Sequence, residues 1–264
     1  IFAYRAAPVQ INYLGYSGSM GANFIDYIIA DPVVIPSGYE QYYSERILRL
    51  PNTFLPTDNC RMMSTRLMTR SEMDLPEVGF VFCCFNNNYK IRPQEFDIWM
   101  RVLLKVEDSV LWLRNSNEWS ETNLRSHAEI RGVDPSRLIF ADRVPMDEHL
   151  ARHKLADLFL DTFTYNAHTT ATEALWAGLP VVTKAGKGFS TRAAASLLTA
   201  VGLTELITET ERDYEALILH FATNPERLAK ICQKLADNRL STPLFDTELF
   251  TKHLENGYQQ AYQR

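Results

Sequence analysis

The chain has 264 residues, 27 Lys and Arg against 32 Asp and Glu, a net charge of −5, and 46% hydrophobic residues. That is enough apolar material for one or two domains, and the acidic balance argues against a nucleic-acid binder, which is normally basic. Four cysteines (Cys60, Cys83, Cys84, Cys232) lack CxxC or zinc spacing; Cys83 and Cys84, adjacent inside an apolar run, read as small buried hydrophobes of a reducing compartment, and a disulfide framework is not expected. No apolar run approaches the ~20 residues that span a bilayer, and no secretion-signal pattern opens the chain. The expected location is the cytoplasm, with no membrane partner. Ile1-Phe2-Ala3-Tyr4 reads as the interior of a folded element, so the expectation is a piece of a longer chain.

Residues 1–50 contain two strand-like runs, Gln10–Leu14 and Tyr27–Ile29, with a Gly15–Gly21 loop between them, and Glu40–Leu50 reads as a short helix. Pro51 to Glu77, with three prolines and many polar residues, reads as a linker. From there apolar strands alternate with amphipathic helices. Val78–Phe85 is a continuous apolar run of the kind buried on both faces of a parallel sheet. Pro93 then opens a helix in which Phe96, Trp99, Met100, Leu103 and Leu104 form one stripe. Strands are expected at Ser109–Leu113, Leu138–Ala141, Leu158–Asp161, Pro180–Thr183 and Glu205–Ile207. Helices are expected at Glu118–Arg131, Asp147–Leu155, after Thr169, near Thr191–Val201 and onward to the end. Repeated βα units with right-handed crossovers give an α/β, doubly wound, mainly parallel Rossmann-like sheet.

Ligands of such sheets bind in the loops beyond the carboxyl ends of the strands. Thr162–Gly178 is the most informative of these segments. A strand feeds a loop, which hands His168-Thr169-Thr170 to a helix start, where unpaired amides and a positive dipole stabilise anions. With Glu173 as acceptor for sugar hydroxyls, this is a cradle for a nucleotide diphosphate and its ribose; an ordinary Thr-capped helix fits the segment equally well. Asn86-Asn87-Asn88-Tyr89-Lys90 follows the first strand of the second lobe, where Lys90 can reach a phosphate and the Asn amides can donate. On the helix opened by Asp147 and Glu148, His149, Arg152 and His153 share a face. His149 and His153 have the spacing to clip a metal, but no convergent carboxylate or cysteine is visible; contact of His149 and Arg152 with a base is the expectation, with a plain surface helix as the alternative. Gly186-Lys187-Gly188 is not a Walker A loop, and Gly15-x-x-Gly18-x-x-Gly21 is not the dinucleotide fingerprint. No Asp-x-Asp occurs, so helix dipole and basic side chains are expected to meet a leaving diphosphate without metal.

The segments Arg5–Gln10, Leu14-Gly15-Tyr16, Phe85-Asn86, Tyr89-Lys90-Ile91, Val110–Leu113, Leu155-Ala156-Asp157, Leu160-Asp161-Thr162, His168-Thr169-Thr170, Leu175–Gly178 and Ala194-Ala195-Ser196 together resemble the protein O-GlcNAc transferase family, of bacterial type. The resemblance covers nearly the whole chain. It implies a GT-B-type glycosyltransferase fold: 1–50 as the end of the first catalytic lobe, 51–77 as a linker, and 78–264 as the second, nucleotide-sugar-binding lobe. It further implies an inverting, metal-independent enzyme that needs no cofactor and moves GlcNAc from UDP-GlcNAc to Ser or Thr hydroxyls of an acceptor protein. Lys90 would support departure of the diphosphate, with Asn87 beside it where the family often has Gln. His149 and Arg152 would lie near the uracil, His168, Thr169 and Thr170 on the diphosphate, and Glu173 at the ribose. Met146 stands where the human-type enzyme has a lysine, and Ser17 replaces the Pro of the usual Gly-Tyr-Pro-Gly loop. The tetratricopeptide repeats and the histidine-bearing segments of the first lobe are absent, which puts the general base upstream of Ile1. A UDP-glucose-dependent protein N-glucosyltransferase and a nucleotide-sugar-binding piece without chemistry are the alternatives.

Overall fold

In the computed structural model, which describes residues 1–263, the chain opens on a small parallel sheet of β1 (Ile11–Asn12), β2 (Tyr27–Ala30) and β3 (Arg46–Arg49), with β2 central. All four residues of β2 are buried. Its side chains alternate between faces with the period of a strand. Ile28 and Ala30 join the main core, whereas Tyr27 and Ile29 join a smaller cluster with Leu48, Leu50, Phe250 and Ala261. The helix expected over Glu40–Leu50 is therefore not formed: a single 3-10 turn, Glu40–Tyr42, precedes β3. Pairing with β2 and cover by the C-terminal helix outweigh the local helical reading, as tertiary context commonly does.

The larger sheet has six parallel strands: β4 (Val81–Cys84), β5 (Val110–Arg114), β6 (Leu138–Ala141), β7 (Leu158–Leu160), β8 (Val181–Lys184) and β9 (Ile207–Thr208). Their order is β6-β5-β4-β7-β8-β9. It is the doubly wound order in which the winding reverses between the first and fourth strands, here β4 and β7, and that reversal opens a crevice for ligands. β9 begins two residues later than expected, because Thr204–Leu206 forms a 3-10 turn.

The helices that cover this sheet are α1 (Pro93–Lys105), α2 (Glu118–Ile130), α3 (Met146–Arg152), α4 (Thr169–Ala177), α5 (Ala193–Ala200), α6 (Glu211–Thr223) and α7 (Pro225–Asn238), and α8 (Thr247–Gln263) returns to the small sheet. Local chemistry sets their ends. Pro93 stands at the first position of α1, where its missing N–H costs nothing. Asn117 caps α2 by accepting from the Ser120 amide, and Thr210 caps α6 from the Asp213 amide. Gly178, at φ +90°, ends α4 in the left-handed region. α3 is shorter than expected and closes in a 3-10 turn, His153–Leu155.

Residues 51–77 contain no strand or α-helix, but they are packed. Phe54, Leu55 and Leu75 lie in the main core, and Arg70 donates to the Leu155 and Gly79 carbonyls and the Asp157 carboxylate. The small sheet is tied to the larger one through Asp31. Its buried carboxylate accepts from the Val33, Val34 and Phe54 amides and, at 2.6 Å, from the Ser196 hydroxyl on α5. Among the described residues, no helix is long and apolar enough to cross a membrane.

Candidate functional site

The loops that leave β4 and β7 flank the crevice. Asn86–Arg92 follows β4 and carries Lys90; Thr162–His168 follows β7 and delivers the start of α4. The second loop is shaped by Asp161. Its buried carboxylate accepts from the Thr162 and Ala167 amides (2.8 and 2.6 Å) and from the Thr183 hydroxyl on β8 (2.7 Å). Burial pushes this carboxyl up to about 7, against those hydrogen bonds and the charge of Lys90.

A cavity of about 360 Å³ opens between α3 and α4, lined by Phe85, Arg114, Asp142, Arg143, Met146, His149, Arg152, Thr169, Thr170 and Glu173. Five of the eight residues expected at the site thus meet in one hollow: His149, Arg152, Thr169, Thr170 and Glu173. The first amides of α4, at Thr169 and Thr170, have no carbonyl one turn earlier to bond and form the positive end of its dipole.

His149 is held in one tautomer. The Arg152 guanidinium, which can only donate, lies 2.7 Å from its Nδ1, so the ring proton sits on Nε2 and faces the Glu173 carboxylate at 3.4 Å. Arg152 is not free to stack on a base. It is 3% exposed, donates to the Asp142 carbonyl at 2.7 Å and lies over the Phe85 ring; it serves by holding His149. His153 is fully buried with its Nδ1 2.7 Å from the His149 carbonyl oxygen, and burial takes its pKa down to about 3. Among the described residues, no group of three or more His, Cys, Asp or Glu is gathered as metal ligands would be.

Lys90 lines a second hollow, of about 330 Å³, with Tyr16, Ser17, Arg92, Tyr165 and Ser190. Its ammonium donates to the Asn166 carbonyl at 3.1 Å and lies 4.4 Å from the centre of the Tyr165 ring. Burial lowers its pKa, with Asp161 opposing. The opposite neighbour of Tyr165 is His168, stacked at 4.7 Å and 20°. Burial, with the Lys90 charge second, brings His168 down to about 4, so the imidazole is neutral at pH 7. Its Nε2 is buried without a hydrogen-bond partner, an unspent polar group at the mouth of α4. Asn87 lies nearby, where its side-chain oxygen accepts from Arg114 at 2.6 Å.

Sequence reasoning missed Arg114, Arg143, Tyr165 and Phe85. All four stand at or just beyond the carboxyl ends of strands, the one positional signal that could have found them. It also missed Arg61, which reaches the site from the connecting segment.

A family model described as Glycosyl transferase family 41 matches residues 1–68 and 63–254. A probable UDP-N-acetylglucosamine–peptide N-acetylglucosaminyltransferase, SEC, from Arabidopsis thaliana is 38% identical over 98% of this chain, which spans 27% of that protein. A UDP-N-acetylglucosamine–peptide N-acetylglucosaminyltransferase from Caenorhabditis elegans is 26% identical over the whole chain, which spans 33% of it. Among solved structures, an O-GlcNAc transferase mutant from Thermobaculum terrenum superposes with a TM-score of 0.90 and 31% identity, covering 99% of this chain and 49% of that one. The lipopolysaccharide glycosyltransferase WaaG shares the fold at a TM-score of 0.60 and 13% identity, over 96% of this chain and 78% of its own. The chain spans about a quarter to a third of the curated relatives it matches, and its parallel sheets have the GT-B arrangement. From the two matched blocks, which together run almost end to end, the chain belongs to glycosyl transferase family 41.

Proposed function

We propose that the protein of which this chain is part transfers GlcNAc from UDP-GlcNAc to Ser or Thr hydroxyls of acceptor proteins, with inversion at the anomeric carbon, in the cytoplasm. The observation that carries this reading is the meeting of His149, Thr169, Thr170 and Glu173 in one cavity at the start of α4, with Lys90 in a second hollow beside Tyr165, which stacks on His168. The base lies against His149, whose orientation Arg152 supports, and the ribose hydroxyls bond to Glu173. The diphosphate sits on the amides and hydroxyls of Thr169 and Thr170, with neutral His168 as a further donor and Asn87 beside it. Lys90 leaves the Asn166 carbonyl for the β-phosphate and offsets the negative charge that develops as the sugar departs.

Catalysis on this side of the crevice is then positioning and electrostatic stabilisation of UDP. The test is calorimetric titration of UDP into the purified chain, with Lys90→Ala and His168→Ala beside it and EDTA present. Saturable binding that both substitutions weaken supports the reading, and no binding by a folded chain overturns it for this lobe. Side-by-side turnover of UDP-GlcNAc and UDP-glucose by the longer protein separates the O-GlcNAc reading from an N-glucosyltransferase.

A further inference from the structure

The segment between the two sheets does more than join them. It is anchored to both α4 and α3. The Trp176 indole on α4 donates to the Arg61 carbonyl at 3.1 Å, and the Ser64 amide donates to the Asp147 carbonyl in the first turn of α3 at 3.0 Å. Arg66 lies 3.9 Å from Glu148 in the same turn. These are the two helices that carry Glu173 and His149. From this segment Arg61 reaches the site: its Nη1 lies 3.5 Å from the Glu173 carboxylate. The two blocks of the family match also meet here, at residues 63–68.

We infer that Arg61 is a positioning residue of the donor site, fixing the Glu173 carboxylate as the acceptor for the two ribose hydroxyls of a nucleoside diphosphate. The inference rests on the donor-site reading given above. Glu173 is 8% exposed and faces His149 Nε2 at 3.4 Å on one oxygen and Arg61 at 3.5 Å on the other. Both contacts exceed the 2.7–3.2 Å of a full N–H···O hydrogen bond, typically about 2.9 Å. They orient the carboxylate from two sides and leave most of its roughly four lone-pair sites open for sugar hydroxyls. Arg61 is placed by the helix it serves: Glu173 and Trp176 stand three residues apart on α4, so they are neighbours on one face. Trp176 is itself fixed against Phe245 and Arg239. The anchor uses the Arg61 backbone carbonyl, so removal of the side chain leaves it in place and Arg61→Ala is expected to fold.

The test compares UDP with 2′-deoxy-UDP by calorimetry on the chain and its Arg61→Ala and Arg61→Lys variants, with thermal melting as the control for folding. Wild type is expected to prefer UDP. Arg61→Ala should bind UDP about five- to tenfold more weakly, in the range of one net hydrogen bond to the ligand, and lose most of the preference over the deoxy ligand. Arg61→Lys should restore part of both. An Arg61→Ala chain that binds UDP as wild type does, or weakens both ligands equally and keeps the preference, overturns the role of Arg61. A folded wild-type chain that binds no UDP overturns the donor-site reading itself, and the inference with it.

Discussion

Replacing Lys90 by Met tests the electrostatic core of the donor site. An ammonium about 4 Å from a phosphate charge contributes about 4 kcal/mol at an effective dielectric near 20. In the free chain that ammonium is already committed to the Asn166 carbonyl at 3.1 Å and the face of Tyr165 at 4.4 Å. Those contacts are worth about 1–2 kcal/mol and are surrendered on binding. The remaining 2–3 kcal/mol, roughly, corresponds to a Kd for UDP raised about 30- to 150-fold, since about 1.4 kcal/mol is tenfold. In turnover by the longer protein the cost should be on the order of 3 kcal/mol or more, because the charge that Lys90 meets grows as the bond to the sugar breaks. Calorimetric titration of UDP gives the first quantity, and initial rates with UDP-GlcNAc give the second. Burial already works against the charged amine, so Lys90→Met should melt no lower than wild type. A Kd within about threefold of wild type, under 1 kcal/mol, in a variant of normal stability would refute the placement of the diphosphate at Lys90.

Three further outcomes follow from the geometry. Asp31→Ala leaves four donors, the Val33, Val34 and Phe54 amides and the Ser196 hydroxyl, without their shared acceptor; denaturant unfolding should register a loss of at least about 3 kcal/mol, and an effect below about 1 would show that water replaces the carboxylate. A methyl group at Gly257 on α8 would collide with the Leu48 side chain on β3, so Gly257→Ala should cost about 1–3 kcal/mol by thermal melting; adding Leu48→Ala should cost less than the two single changes summed, and strict additivity would contradict the contact. The third concerns acid. His168 falls from its ordinary 6.5 to about 4 on folding, so across that window the unfolded chain binds more protons, and stability present above pH 6.5 is lost as the pH falls. His168→Asn should flatten the dependence of unfolding free energy on pH by about 1.4 kcal/mol per pH unit between those values, read from denaturant curves; an unchanged slope would mean that the ring titrates normally.

Much of the larger lobe is readable from residue order, because its strands are buried on both faces and appear as apolar runs such as Val81–Cys84, each punctuated by a turn or a helix cap. The position of His168-Thr169-Thr170 follows in the same way: a strand, a loop and a helix start are local features, and the end of a parallel strand is where such sheets bind. Tertiary structure alone decides what is not local. Arg46–Arg49 becomes a strand rather than part of a helix because β2 offers it a ladder and α8 covers it, and α8 lies two hundred residues away. Arg152 points to the right place in the sequence but is spent on His149 and the Asp142 carbonyl, which no spacing rule reveals. The same holds for Arg61. A polar, proline-marked stretch carries no periodicity to signal a role, and only the folding of α3 and α4 beneath it brings that guanidinium to Glu173.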